Sequence, residues 1–136
     1  MLKIKNEQLV EIIRHAKESD PDEACGILAG KKEKVEKVYK MTNTSDKPEM
    51  CYFMDTKEQF KILKEIRNLG LEMAAIYHSH AHSEAYPSKR DIELAYYPAA
   101  SYVIISLEDK GKPVARSFKI VEGKITEEEI KPYEPA

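Results

Sequence analysis

The sequence predicts a mixed α/β domain with one sheet, and three observations carry that expectation. Two segments, near residues 6–19 and 56–69, repeat apolar side chains at helical spacing. Several short runs are instead β-branched or alternate apolar with polar, as VEKVY, SYVIISL and VARSFKIV do. No Pro/Gly-rich linker and no internal repeat divides the chain, so residues 1–136 are expected to form a single domain.

Taken in order, Asn6 to Ser19 places Leu9, Ile12, Ile13 and Ala16 on one face of an amphipathic helix. Asp20-Pro21 stops it, because the residue before proline is pushed out of the α region. DEACGILAG (Asp22 to Gly30) contains a short buried strand, and KVEKVYKM after it alternates as a strand with one solvated face. Ser45 to Pro48 is a loop, and Glu49 to Met54 is expected to be a short strand. Asp55 or Thr56 caps a second helix carrying Phe60, Leu63, Ile66 and Leu69, closed by Gly70 in the left-handed region. EMAAIYH is then a central strand, and Pro87 to Asp91 starts a helix continued to Pro98. Ser101 to Leu107 is a buried strand and VARSFKIV an edge or half-buried one. Glu122-Gly123-Lys124 is a hairpin turn before a weaker last strand, Ile125 to Ile130. The expected order is α-β-β-α-β-α-β-β-β.

Composition narrows the function. A net charge of -2 leaves no basic footprint for nucleic acid. No apolar run approaches the ~18 residues of a membrane span. MLKIKNEQL lacks the apolar core of a secretory signal, so a cytoplasmic address is expected. Cys25 and Cys51 form no CxxC pair, which favours two separate thiols over a thiolate metal site.

The chemistry concentrates in AIYHSHAHSEAYPSKRD, Ala75 to Asp91, which holds three of the four histidines. In an extended strand His78 and His80 share one face, so both imidazoles can reach one divalent ion. Asp91, near a helix start, is the best-placed carboxylate for a third ligand. Two histidines and one carboxylate leave a coordination position open, as in catalytic rather than structural zinc sites. Ser88-x-x-Asp91 equally fits a helix capping box, which needs no metal. His82 continues the alternation as a ligand or as a surface group. The group that would move protons is left open by spacing alone, among Glu84, Glu93 and a more distant acid.

Glu23, then His78-Ser79-His80, seven residues, Ser88, two residues and Asp91 resemble the motif of the JAMM (MPN+) metalloproteases. PDEACGILAG and SYVIISL are also similar to that family's flanking strands. The resemblance implies a curved central mixed sheet flanked by helices, like that of cytidine deaminases. It makes His78, His80 and Asp91 the ligands of one Zn2+ and Glu23 the acid/base. It makes Ser88 the donor to the oxyanion. Ser79, by alternation, faces away and supports the strand. The position after the second histidine, often proline in relatives, is Ala81 here.

Within the family the chain resembles small stand-alone prokaryotic members. Those hydrolyse an amide or isopeptide bond at the C-terminal glycine of a ubiquitin-like or sulfur-carrier protein. The resemblance therefore implies a partner with a Gly-Gly-like tail, and a homodimer is left open. Two rivals stand beside this reading. One is a non-catalytic zinc-containing docking module for such a carrier. The other is a Cys-His hydrolase built on Cys25, disfavoured by the apolar surroundings of that thiol. The HxE…PCxxC signature of the zinc deaminases is missing.

Overall fold

The computed structural model describes residues 1–134. Its elements are β1 (Leu2–Ile4), α1 (Asn6–Ser19), β2 (Cys25–Lys31), β3 (Lys34–Met41), α2 (Thr56–Asn68) and β4 (Glu72–His80). They continue with α3 (Lys89–Glu93), β5 (Ser101–Ser106), β6 (Val114–Val121), β7 (Lys124–Glu128) and β8 (Ile130–Pro132). The strands form one sheet in the order β7-β6-β5-β4-β2-β3-β1-β8. Neighbours β4/β5, β3/β1 and β1/β8 run parallel and the rest antiparallel, so the sheet is mixed. Its two outer strands, β7 and β8, are separated in the chain by Glu129 alone. The sheet must therefore curl until its edges nearly meet.

Each face of the sheet is covered by one long helix. Ile12 and Ala16 of α1 pack on Leu28, Val35, Ala75, Tyr77, Val103 and Ile105. Ile66 of α2, with Ile62 and Leu63, packs on the other face, with Cys25, Ile27, Ile76, Tyr102 and Ile104. Successive residues of β2 and β4 divide between the two cores, as the two-residue period of a strand requires. Asp55 caps α2 by accepting from the Lys57 amide, and Gly70 follows it at φ 70°.

The structure differs from the expected elements in four places. Leu2–Ile4 is a buried strand, and Ile130–Pro132 is a second strand paired with it. Three residues are too few to show a period, and their partners are remote in sequence. Glu49 to Met54 is not a strand; only the isolated bridge Asn43–Met54 forms there. The Asn43 side chain takes over its backbone groups, donating to the Cys51 carbonyl at 3.2 Å and accepting from the Phe53 amide at 3.1 Å. The third helix ends at Glu93 rather than Pro98, and the Tyr97 amide turns to the Tyr102 hydroxyl at 3.0 Å. Of the two alternatives for VARSFKIV, the half-buried strand holds and the edge does not: it is paired on both sides, and β7 takes the edge.

Gly26 shows why the centre of the sheet is laid out as it is. A Cβ there would lie 2.1 Å from the Tyr77 ring, so the phenol lies directly across β2. Its hydroxyl meets His15 Nδ1 of α1 at 2.6 Å, which ties the helix to β4 on the face opposite His78. Among the described residues no helix is long and apolar enough to cross a membrane.

Candidate metal centre

β2 and β4 are antiparallel neighbours, with Cys25 opposite His78. The entry of β2 therefore lies beside the exit of β4, although the two are more than fifty residues apart. The Ser79 amide donates to the Ala24 carbonyl at 3.1 Å, and the Ala24 amide donates to Ser79 Oγ at 2.8 Å. Ser79 thus spends its hydroxyl on holding β2, as expected of a side chain turned away from its histidine neighbours. By the same register and alternation, Glu23 shares a face with His78 and His80.

After His80 the chain turns through residues 81–88 into α3, whose first turn carries Asp91. The Ser88 amide donates to Asp91 Oδ2 at 2.9 Å and the Asp91 amide to Ser88 Oγ at 3.1 Å. This capping box fixes the carboxylate, which leans over the strand end. His78 Nε2, His80 Nε2 and Asp91 Oδ2 then form a triangle. Its edges are 3.2 Å between the imidazoles, 3.1 Å from His78 to Asp91 and 3.0 Å from His80 to Asp91. All three side chains are more than nine-tenths buried.

The protons of this triangle show what it can hold. His80 Nδ1 lies 2.9 Å from the Glu84 carbonyl, which can only accept, so Nδ1 carries the hydrogen. In the neutral ring Nε2 is then a lone pair aimed at a carboxylate oxygen. Such a contact needs a cation between the two atoms or an extra proton on the ring. A tetrahedral zinc with bonds of about 2.0–2.1 Å holds its donors about 3.3 Å apart. The observed edges match that spacing, and two nitrogens with one carboxylate oxygen are zinc-type donors. The residues fit the ion.

Electrostatics set the rest. Burial would lift the Asp91 carboxyl, but the two histidines and the Ser88 amide outweigh it and hold it far below the usual range. Burial would lower His80, but Asp91 and the Glu84 carbonyl reverse that and raise it. Glu23 is 5% exposed, and one carboxylate oxygen, Oε1, is buried without a hydrogen-bond partner among the described residues. Burial pushes its pKa up to about 7, against the pull of His78 and His80 and with the help of Asp91. Its backbone is held by the 42–55 connection: its amide donates to the Pro48 carbonyl at 2.7 Å, and its carbonyl accepts from Asn43 Nδ2 at 2.9 Å.

Of the other candidates, Glu84 offers its main-chain carbonyl, while its side chain and that of Glu93 are exposed. His82 is exposed and stands outside the triangle. The Cys25 thiol is fully buried, points at the Met41 carbonyl and is pushed up to about 12, first by burial and then by Glu58 and Glu23. A thiol so held stays protonated, which weighs against the Cys-His reading. Sequence reasoning missed Tyr52, whose ring lies 4.7 Å from that of His78 at a 30° tilt. It also missed Asn43, the polar hub of the connection. Neither residue belongs to a spaced motif, and both act across turns that leave no periodic signal.

Residues 5–121 match the family of prokaryotic homologues of the JAB domain. The chain is similar to the CysO-cysteine peptidase of Mycobacterium tuberculosis, at 38% identity over 132 residues, 96% of this chain and 90% of the relative. It is also similar to the desampylase of Haloferax volcanii, at 35% identity over 101 residues, covering 70% of this chain and 73% of the relative. The solution structure of a protein from Desulfitobacterium hafniense superimposes with a TM-score of 0.87 at 39% identity. That likeness covers 99% of this chain and 94% of the other.

Proposed function

The chain belongs to the prokaryotic JAB-domain family, and from that premise we propose that it is a zinc-dependent peptidase. Relatives named as a CysO-cysteine peptidase and a desampylase support cleavage of conjugates of ubiquitin-like or sulfur-carrier proteins. The observation that carries the reading is the buried triangle of two imidazole nitrogens and a carboxylate oxygen, in the field of a buried carboxyl titrating near neutrality.

His78, His80 and Asp91 would hold the ion. Zinc bound there supplies Lewis acidity, which polarises a carbonyl and acidifies water at neutral pH. Glu23 takes the proton of the attacking water and passes it to the leaving amine. Its carboxyl is buried beside the triangle, and that burial favours the protonated form, so it can hold the proton between the two transfers. Ser88 Oγ accepts from the Asp91 amide, which leaves its own hydrogen free to donate to the developing oxyanion. The Glu84 carbonyl keeps the His80 proton on Nδ1 and so keeps Nε2 available.

The carrier's tail would reach this centre along a groove lined by Tyr52, Phe53, Ile76, Leu94, Tyr96 and Tyr97. Tyr52, one wall of that groove, also packs against the His78 ring. Crowded aromatic walls favour a tail without side chains, hence glycine. Replacing the penultimate glycine of the carrier by leucine should abolish cleavage, and undiminished cleavage would refute this part.

The deciding experiment is single turnover of an amide-linked carrier by wild type and Glu23→Gln, with bound zinc measured in both. Loss of cleavage with zinc retained is expected. A glutamine variant that cleaves at the wild-type rate would remove Glu23 from the mechanism. A wild type that binds zinc and the carrier without cleaving any conjugate would favour the docking module.

A further inference from the structure

The two histidines of the triangle are held differently. His80 has its outer nitrogen bonded to the Glu84 carbonyl at 2.9 Å. His78 Nδ1 is buried with no hydrogen-bond partner among the described residues. A ligand imidazole ordinarily gives its second nitrogen to an acceptor, which sets the ring's direction and tautomer. His78 lacks that restraint and touches two rings instead. The Tyr52 ring stacks on it at 4.7 Å and 30°, and the His80 ring meets it nearly edge-on at 5.0 Å and 63°.

We infer that Tyr52 is the positioning residue of His78, its ring fixing the imidazole's direction by packing on its face where no acceptor does so. The inference rests on the proposed metal site. Tyr52 is itself placed by a side chain that grips both of its neighbours. Asn43 Nδ2 donates to the Cys51 carbonyl at 3.2 Å, and Asn43 Oδ1 accepts from the Phe53 amide at 3.1 Å. The same Nδ2 donates to the Glu23 carbonyl at 2.9 Å. One amide thus ties the stacking ring to the backbone of the proton-transfer residue, and both are referred to one anchor. Tyr52 also lines the groove proposed for the carrier tail. A tail lying there touches the residue that aims a metal ligand, so substrate occupancy and ligand geometry share a contact.

Stacking needs the ring and not the hydroxyl, and this separates the inference from a simple polar role. Zinc affinity should be measured by chelator competition for wild type, Tyr52→Phe and Tyr52→Leu, together with the visible spectrum of each cobalt-substituted protein. Tyr52→Phe should bind as wild type does. Tyr52→Leu should bind roughly 10- to 100-fold more weakly, the range seen when a restraint on a ligand histidine is lost, with an altered cobalt spectrum. Leucine equal to wild type in affinity and spectrum overturns the inference, as does phenylalanine as weak as leucine. A wild type that binds no zinc refutes the metal site itself and is thereby distinguishable. Should the leucine variant fold poorly, NMR of the metal-free wild type decides. The His78 ring protons should be shifted upfield by the Tyr52 ring, and unshifted protons overturn the stacking.

Discussion

Ser88 shows how far a single residue could be read in advance. Its spacing from Asp91 alone fits a capping box or a metal site, and only the resemblance to the JAMM motif gives it the role of oxyanion donor. The structure shows that the choice is not forced. Capping uses a lone pair of Ser88 Oγ and leaves its hydrogen uncommitted, while the reciprocal bond from the Ser88 amide holds Asp91 Oδ2 in the triangle. Ser88→Ala should therefore act twice, by separable amounts. Loss of the cap costs about 1 kcal/mol of stability, whereas loss of an oxyanion donor lowers kcat roughly 10²- to 10³-fold. Thermal denaturation and kcat measured on the same zinc-loaded variant separate the two effects. A variant that loses stability while keeping its kcat would reduce Ser88 to a cap.

Among the elements, those with a local period were legible and those defined by remote partners were not. α1 and α2 lie where apolar spacing put them, and β4 and β5 where the runs of apolar residues put them. β1 and β8 escaped because each is three residues long and is defined by remote partners, β8 by β1 and β1 by both β8 and β3. The 42–55 connection escaped because side-chain bonds from Asn43, not a ladder, organise it, and Tyr52 went unread with it. Gly26, by contrast, could be read as a glycine but not as a requirement. Its neighbour Tyr77 is fully buried and held by His15, so the ring cannot swing aside freely. Gly26→Ala should destabilise the protein by about 1–3 kcal/mol, the usual cost of overpacking, as read from urea denaturation midpoints. Because Glu23 leads directly into β2, the same variant should also lose activity. An alanine variant as stable as wild type would mean that the Tyr77 ring yields without cost.

At the scale of the whole molecule, the site exists because an antiparallel pair at the centre of the sheet puts the start of β2 against the end of β4. The resemblance named Glu23 as a partner of His78 and His80, and topology gives the physical reason the two stretches meet. Assembling these groups has a signature in stability against pH. Glu23 is raised from an ordinary value of 4.5 to about 7, so its contribution is fully present below 4.5 and is lost as pH rises through 7. The shift corresponds to about 3 kcal/mol. His80 is also raised, so it adds stability below 6.5 that fades at higher pH. Asp91 works in the opposite sense: depressed below 3.8, it contributes above that value and loses its contribution only in stronger acid. Between pH 5 and 8 Glu23 and His80 are opposed by His15, which burial lowers and which therefore adds stability as pH rises. With two raised groups against one lowered, the metal-free protein should melt at a lower temperature at pH 8 than at pH 5. Zinc must displace the proton that His80 holds at low pH, so its affinity should rise over the same interval. The gap in Tm between zinc-loaded and metal-free protein should therefore widen from pH 5 to pH 8. Scanning calorimetry of both forms across that range tests the two trends together. A metal-free Tm that rises toward pH 8 would mean that Glu23 and His80 are not held as described, and a constant gap would argue against histidine ligation.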